Sequence, residues 1–478
     1  MSIPEECTVL VVGGGPAGSY AASVLAREGI DTVLLEAEVF PRYHIGESLL
    51  PSVRYYLDFI DLYDKFYSHR FLRKTGATFK LNSRKPGYTD FLAANGAGNH
   101  SWNVVQSEAD DLIFNHARES GAKVFDGVKV EDIQFGSMGG WPVSATWARK
   151  DGSAAGLGKL RFEYLVDASG RAGLVSTKYI KNRVYNRGLR SVAIWGYWTG
   201  AKSYGPGVGD PFAEALEDGS GWVWYFPLHD GTWSLGIAMK QDRVGPKKKA
   251  CESTSTLEFY LKTLDETPII ARLLHDGRLQ SDKLRTASDW SCSASIRLPL
   301  SAHRWRHVHL AMNSGLSAAL KICASLRGHC TEEGAVEWHN QKVAEGYTRF
   351  LMIVKCSLDQ VHGRDEHILN EIEEPERFDI AFEYFKPKRN GKTIIQRTVD
   401  SGGKLSRADV VKSVDFCVRV LRKAEGEYWA DSRGHAGSGF HLDKHGAQTN
   451  DFTANVISGM APNMRRGELG LVPVAVRS

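Results

Sequence analysis

The sequence predicts an α/β fold, with a Rossmann-like nucleotide-binding crossover at its start, a mixed strand-rich sheet in the middle and a helical C-terminal region. Three observations carry this. Residues 8–12 are an apolar run of strand length that opens directly into a glycine-rich turn and a helical stretch. Residues 191–240 hold several strand-length segments with alternating aromatics. Residues 336–351, 368–385 and 408–424 carry apolar residues at helical intervals. The 478 residues are 42% hydrophobic and 24% charged, which excludes a wholly disordered chain. The 48 glycines lack the three-residue period of collagen. A net charge of +4 is too mild to argue for nucleic acid or a membrane surface as partner. No apolar stretch approaches the ~18 residues of a membrane span. The N-terminus is acidic before its apolar run, the reverse of a secretory signal. The seven cysteines are odd in number and never spaced C-x-x-C, which argues against a disulfide framework or zinc site. A reducing, cytoplasmic location and no bound metal are expected.

The first crossover is the most informative element. Residues 8–12 lead into Gly13-Gly14-Gly15-Pro16-Ala17-Gly18, a G-x-G-x-x-G turn. Residues 19–28 then read as a helix that Gly29 stops, and residues 32–36 read as a second strand ending on Glu36. Gly13 serves the tight turn, Gly15 lets a diphosphate approach the backbone, and Gly18 lets helix and sheet pack closely. The helix N-terminus offers N–H donors and partial positive charge to phosphate. Glu36 stands where a carboxylate binds ribose hydroxyls. The pattern predicts an adenine dinucleotide and leaves NAD and FAD both open.

Five further segments have local readings of their own. Residues 40–50, Phe-Pro-Arg-Tyr-His-Ile-Gly-Glu-Ser-Leu-Leu, form a polar turn before an apolar helix that Glu47 or Ser48 can cap. Residues 166–171, Val-Asp-Ala-Ser-Gly-Arg, end a strand in a turn. Residues 221–227, Gly-Trp-Val-Trp-Tyr-Phe-Pro, alternate as a strand with one bulky face. A turn at 229–231 pairs that strand with residues 232–238. Residues 71–80 contain Lys74; Lys80 and Lys85 nearby read as solvated, as does the run Lys247-Lys248-Lys249. Residues 102–110 start a helix with Ser107 as cap and Asp110 as its capping-box partner.

Together these segments resemble the flavin-dependent halogenases, and most closely the fungal free-standing enzymes that act on phenolic polyketides. The resemblance runs from residue 8 to about 290 and resumes near 308. Residues 40–50 are similar to the family's R-x-x-IGESL segment, and residues 221–227 to its W-x-W-x-I-P signature, with Phe226 in place of Ile. The resemblance implies an FAD-binding domain of the aromatic-hydroxylase type. Cofactor contacts would come from Gly13, Gly14, Gly15, Ala17, Gly18, Glu36, Glu47 and Val308. Trp222, Trp224 and Pro227 would form a wall between flavin and substrate. Lys74 would be the essential lysine, and many relatives carry an Arg at the position of Gln106. Also implied are a separate flavin reductase, with chloride and molecular oxygen as co-substrates. Oxygen would add at flavin C4a, and chloride would attack the hydroperoxide to give hypochlorous acid. That oxidant would travel an internal channel to Lys74 and chlorinate a small phenolic substrate. The expected organisation is a discontinuous FAD-binding domain over 1–345, with an inserted substrate-side sheet at about 191–285. A helical region, 346–478, would cover the pocket.

One segment departs from the family. Relatives have a Gly-Asp pair and a loop that hold flavin and chloride, but no Gly-Asp occurs between Ile296 and His309. Residues 296–307 instead contain three Arg, two His and no acid, with Arg306 and His307 at the chloride-contacting positions. A shifted exon boundary and a true divergence with impaired flavin retention both explain this. His303, His307 and His309 lack a Glu or Cys partner at ligand spacing. Two alternatives therefore accompany the halogenase reading. One is a flavin-dependent aromatic hydroxylase, and the other is an inactive homologue.

Overall fold

The computed structural model describes residues 2–81, 83, 85–95, 98–136, 140–150, 156–181, 183–185, 190–288, 292–294, 308–343, 361, 457 and 459–474. The divergent segment 296–307 and most of the expected helical region lie outside these residues. Strand β1 (Glu6–Val12) is the apolar run read from sequence, and Val9, Leu10 and Val11 are fully buried. It pairs in parallel with β2 (Thr32–Leu35) on one side and with the strand Leu157–Asp167 on the other. Burial on both faces explains why it reads as a continuous apolar stretch rather than an alternation. Among the described residues the sheet has six strands, extended by Lys123–Phe125 at one edge and by the antiparallel strands Pro142–Arg149 and Val128–Phe135 at the other.

Helix α1 (Pro16–Arg27) follows the glycine turn, with Pro16 in its first turn. It covers one face of the sheet together with the helices Gln106–Glu119 and Val308–Leu326, which share the main core. Gly315 sets the distance between α1 and the Val308–Leu326 helix: a Cβ there would lie 2.4 Å from the Ala17 carbonyl oxygen.

The second sheet is mixed. Its order is Arg278–Leu279, Ser191–Thr199, Trp233–Lys240, Gly221–Pro227, Phe212–Ala215, Gly76–Lys80, Gly87–Asp90, with Arg285–Ser288 also paired to Ser191–Thr199. The expected hairpin is present: Leu228 N–H donates to the Thr232 carbonyl at 2.8 Å and Gly231 adopts φ +80°. The sheet also recruits Gly76–Lys80 and Gly87–Asp90, from outside the expected insert, through parallel pairing of Phe212 with Thr78. Two lysines read as solvated are instead paired. Lys80 reaches the buried Glu214 at 3.2 Å, and Lys247 is itself buried against Asp218 and Glu266.

Residues 460–473, inside the expected helical region, form a hairpin of Met460–Asn463 and Gly470–Pro473. Leu469 and Leu471 enter the main core. Glu28, at the end of α1, accepts the N–H groups of Gly467 and Leu469 at 2.9 and 3.1 Å, and Arg327 at 2.9 Å. No helix among the described residues is long and apolar enough to cross a membrane.

Candidate functional site

The glycine turn is built by close contacts that side chains would break. A Cβ on Gly13, whose φ is +103°, would lie 2.3 Å from the Ala168 carbonyl oxygen, and one on Gly18 would lie 1.9 Å from the Gly13 carbonyl oxygen. The turn after Leu157–Asp167 lies beneath it, held by Asp167, which accepts Ser169 N–H at 3.0 Å and Val175 N–H at 2.8 Å. Gly15 faces open space apart from the Arg42 guanidinium, 3.4 Å from where a Cβ would sit. Glu36 is buried and accepts N–H from Gly14 at 2.5 Å and from Glu38 at 2.8 Å, so its carboxylate is fixed beside the turn.

Arg42 links this turn to the Gln106–Glu119 helix. It lies 3.8 Å from Glu36 and 3.4 Å from Asp110, and Gln106 donates to Asp110 at 2.6 Å. Burial pushes Asp110 up to about 6, while Arg42 and Gln106 act in the opposite direction. These contacts correct the expected cap. The helix begins at Gln106 with Val105 as N-cap, and Asp110 serves Gln106 and Arg42 instead of a capping box. Arg42 Nε and Gln106 Oε1 are buried without a hydrogen-bond partner among the described residues. Buried polar atoms of this kind are normally satisfied. Together with the cradle at Gly15 they fit a polar dinucleotide.

Lys74 ends the strand Leu72–Lys74, which pairs with Ser101–Asn103. Its side chain is buried and Nζ donates to Ser48 Oγ at 2.5 Å. Burial lowers its pKa to about 7, against the opposing pull of the Asp210 carboxylate. Asp210 organises this corner: it accepts Thr75 N–H at 2.8 Å, Gly76 N–H at 2.9 Å, Tyr88 O–H at 2.8 Å and Gly207 N–H at 3.1 Å. Asn103 joins the pieces, bridging to Ser48 and donating to the carbonyls of Gly209 at 2.8 Å and Pro227 at 3.0 Å. Ser48 and Glu47 therefore do not cap the next helix, which starts at Val53.

Trp222, Trp224 and Phe226 share one face of Gly221–Pro227, with neighbouring rings 6.1 and 6.4 Å apart. Trp195 packs 6.1 Å from Trp224, and Ile45 lies against the same cluster, so the Ile-Gly-Glu-Ser segment touches the wall. Glu47 is buried behind it and accepts Tyr197 O–H at 2.6 Å. Tyr197 and Tyr43 hydroxyls lie 2.8 Å apart, and Trp195 Nε1 donates to Tyr43 at 2.8 Å. Burial pushes Glu47 up to about 7, with the Ser234 and Tyr197 hydroxyls opposing.

The sequence-predicted residues thus form two groups. Gly13, Gly14, Gly15, Gly18 and Glu36 meet at the crossover, while Glu47, Lys74, Trp222, Trp224 and Pro227 meet around Asn103 and the wall. Ala17 borders a small cavity with Asp167 and Ser314. Val308 opens its helix with its side chain in the main core. Sequence reasoning missed Asn103, Asp210, Tyr43 and Tyr197. Only the Gly-Asp-Pro turn signal at 209–211 hinted at Asp210.

The tryptophan halogenase family model matches residues 8–118. The chain is 46% identical to sulochrin halogenase gedL of Aspergillus terreus, over 98% of this chain and 94% of that protein. It is 47% identical to flavin-dependent halogenase otaD of Aspergillus carbonarius, over 98% and 99%. Among solved structures, the myxobacterial FAD-dependent chondrochloren halogenase CndH aligns with a TM-score of 0.66 at 24% identity, covering 81% of this chain and 99% of its own. Halogenase PltM, solved with phloroglucinol and FAD, aligns with a TM-score of 0.60 at 14% identity, covering 88% and 96%.

Proposed function

Since this chain belongs to the flavin-dependent halogenase family, we propose that it chlorinates an electron-rich phenolic ring of polyketide type and that the Lys74 amine passes the halogen to carbon. The observation that carries this reading is a fully buried amine, with a pKa lowered to about 7, joined through Ser48 and Asn103 to Pro227 at the end of the strand that carries the aromatic wall. A neutral amine is a nucleophile and an ammonium is not. At and above neutral pH Lys74 can take chlorine from hypochlorous acid as a chloramine with release of water. Below it, the protonated amine can only polarise the oxidant by hydrogen bonding. Ser48 accepts one Lys74 N–H and holds the amine in place.

Gly13, Gly14, Gly15, Gly18 and Glu36, together with Arg42 and Gln106, would hold the FAD nucleotide, and the 46–48 segment would border its ring. Reduced FAD, when bound, supplies the oxygen activation that makes an electrophile from chloride. The wall of Trp222, Trp224 and Phe226 keeps the phenol from reacting directly where that oxidant forms. A separate flavin reductase as electron source and a cytoplasmic location belong to the same reading. So does a free small-molecule substrate, with neither nucleic acid nor membrane as partner.

The test is turnover of the full chain with FAD, NADH, a flavin reductase, chloride and phloroglucinol, read by product mass spectrometry. A product with the paired masses of the chlorine isotopes supports the proposal. A product heavier by one oxygen and lacking that pair makes the protein a hydroxylase. No product and no retained flavin makes it an inactive homologue.

A further inference from the structure

We propose that His69, Glu108 and His229 form a binding site for a divalent transition metal of the zinc type, clasping together three segments that build the site. His69 Nε2 lies 2.7 Å from Glu108 Oε2, and His229 Nε2 lies 3.2 Å from the same oxygen. The three potential ligand atoms all lie within 4.8 Å of one another. A tetrahedral zinc with bonds of ~2.0–2.1 Å holds its ligand atoms roughly 3.3 Å apart. The His229–Glu108 separation of 3.2 Å already matches, and the 2.7 Å His69–Glu108 contact needs to open by roughly half an ångström. Two imidazoles and a carboxylate select zinc-like ions over magnesium or calcium, which favour all-oxygen shells.

The rings are held in place before any metal arrives. Phe71 packs against both, its centroid 4.3 Å from His69 and 5.4 Å from His229, and the two imidazole centroids lie 5.9 Å apart. The side chains are 31%, 39% and 19% exposed for His69, Glu108 and His229, which leaves room for water as a fourth ligand. His229 Nδ1 is buried with no hydrogen-bond partner among the described residues, so its N–H lacks the outer-shell acceptor that tight zinc sites provide. Moderate rather than very tight affinity follows.

Each ligand comes from a different element. His69 caps the helix Tyr63–Ser68 just before the Lys74 strand, Glu108 sits in the first turn of the Gln106–Glu119 helix, and His229 lies in the turn after Pro227. Metal binding would therefore tie the Lys74 strand to the wall and to the helix that meets Arg42. The expectation of no metal rests on cysteine spacing and on the lack of a Glu or Cys at ligand spacing from His303, His307 and His309; the present ligands share no local spacing, since His69 and Glu108 are 39 residues apart and His229 is more distant still.

The experiment uses the full chain, stripped with chelator and free of flavin, so its outcome is independent of the proposed reaction. Zinc chloride is titrated by calorimetry and thermal unfolding is followed with and without it. One zinc should bind per chain and raise the melting temperature, with no heat from magnesium chloride. His69→Ala and the shape-conserving Glu108→Gln should each weaken that site by at least about tenfold. Absence of zinc binding, or an affinity unchanged in both variants, would overturn the proposal.

Discussion

Lys74 shows what one residue contributes and costs. A lysine with an ordinary pKa of 10.5 is held near 7 by burial. The folded state therefore binds fewer protons than the unfolded chain between those values, so this group's contribution to stability improves as pH rises through that window. Lys74→Met should accordingly be more stable than the parent at pH 7, and the gap should close toward pH 10; denaturant midpoints at the two pH values measure it. An unchanged gap would show that Lys74 is not neutral at pH 7. Asp210 has the opposite character. Losing a buried acceptor for Thr75, Gly76, Tyr88 and Gly207 should make Asp210→Ala less stable by about 3 kcal/mol or more, read from urea unfolding. Lys74 was legible because its segment resembles a family pattern. Asp210 was not, because its partners at Thr75 and Gly76 are 135 and 134 residues away and nothing local marks the pairing.

At the scale of elements, the strand-turn-helix crossover was legible almost completely, because close backbone contact dictates Gly13 and Gly18. Gly18→Ala would force a Cβ to within 1.9 Å of the Gly13 carbonyl oxygen. That must push α1 off the turn, and FAD affinity should fall by at least about tenfold in a flavin-fluorescence titration. The wall was equally legible, since alternation of period two places Trp222, Trp224 and Phe226 on one face. Helix starts were read less well. Ser107 and Asp110 have the spacing of a capping box, but Arg42 and Gln106 claim the Asp110 carboxylate, and tertiary charge pairing outweighs the local cap. Strand Gly76–Lys80 joined the second sheet through pairing with Phe212–Ala215, a long-range register that local pattern does not encode.

The whole molecule closes on itself through the hairpin at residues 460–473. Glu28 accepts two backbone N–H groups of its connecting turn and pairs with Arg327, almost entirely out of contact with solvent. Glu28→Ala should lower stability by about 2–4 kcal/mol, read as a reduced denaturation midpoint, because it strands Arg327 and two amides. Glu28→Gln, which keeps the acceptor oxygen, should lie between. Only the helical periodicity before this hairpin was visible in the sequence; its docking depends on Leu469 and Leu471 meeting a core built by the first half of the chain. In the proposed reaction the glycine turn holds the nucleotide, while the buried Lys74 amine, joined through Ser48 and Asn103 to the end of the wall strand, handles the halogen. The direct measurement is a single turnover of Lys74→Met with reduced FAD, oxygen, chloride and phloroglucinol. Flavin should reoxidise as in the parent while the chlorinated product disappears. Chlorinated product at the parental yield would contradict the account.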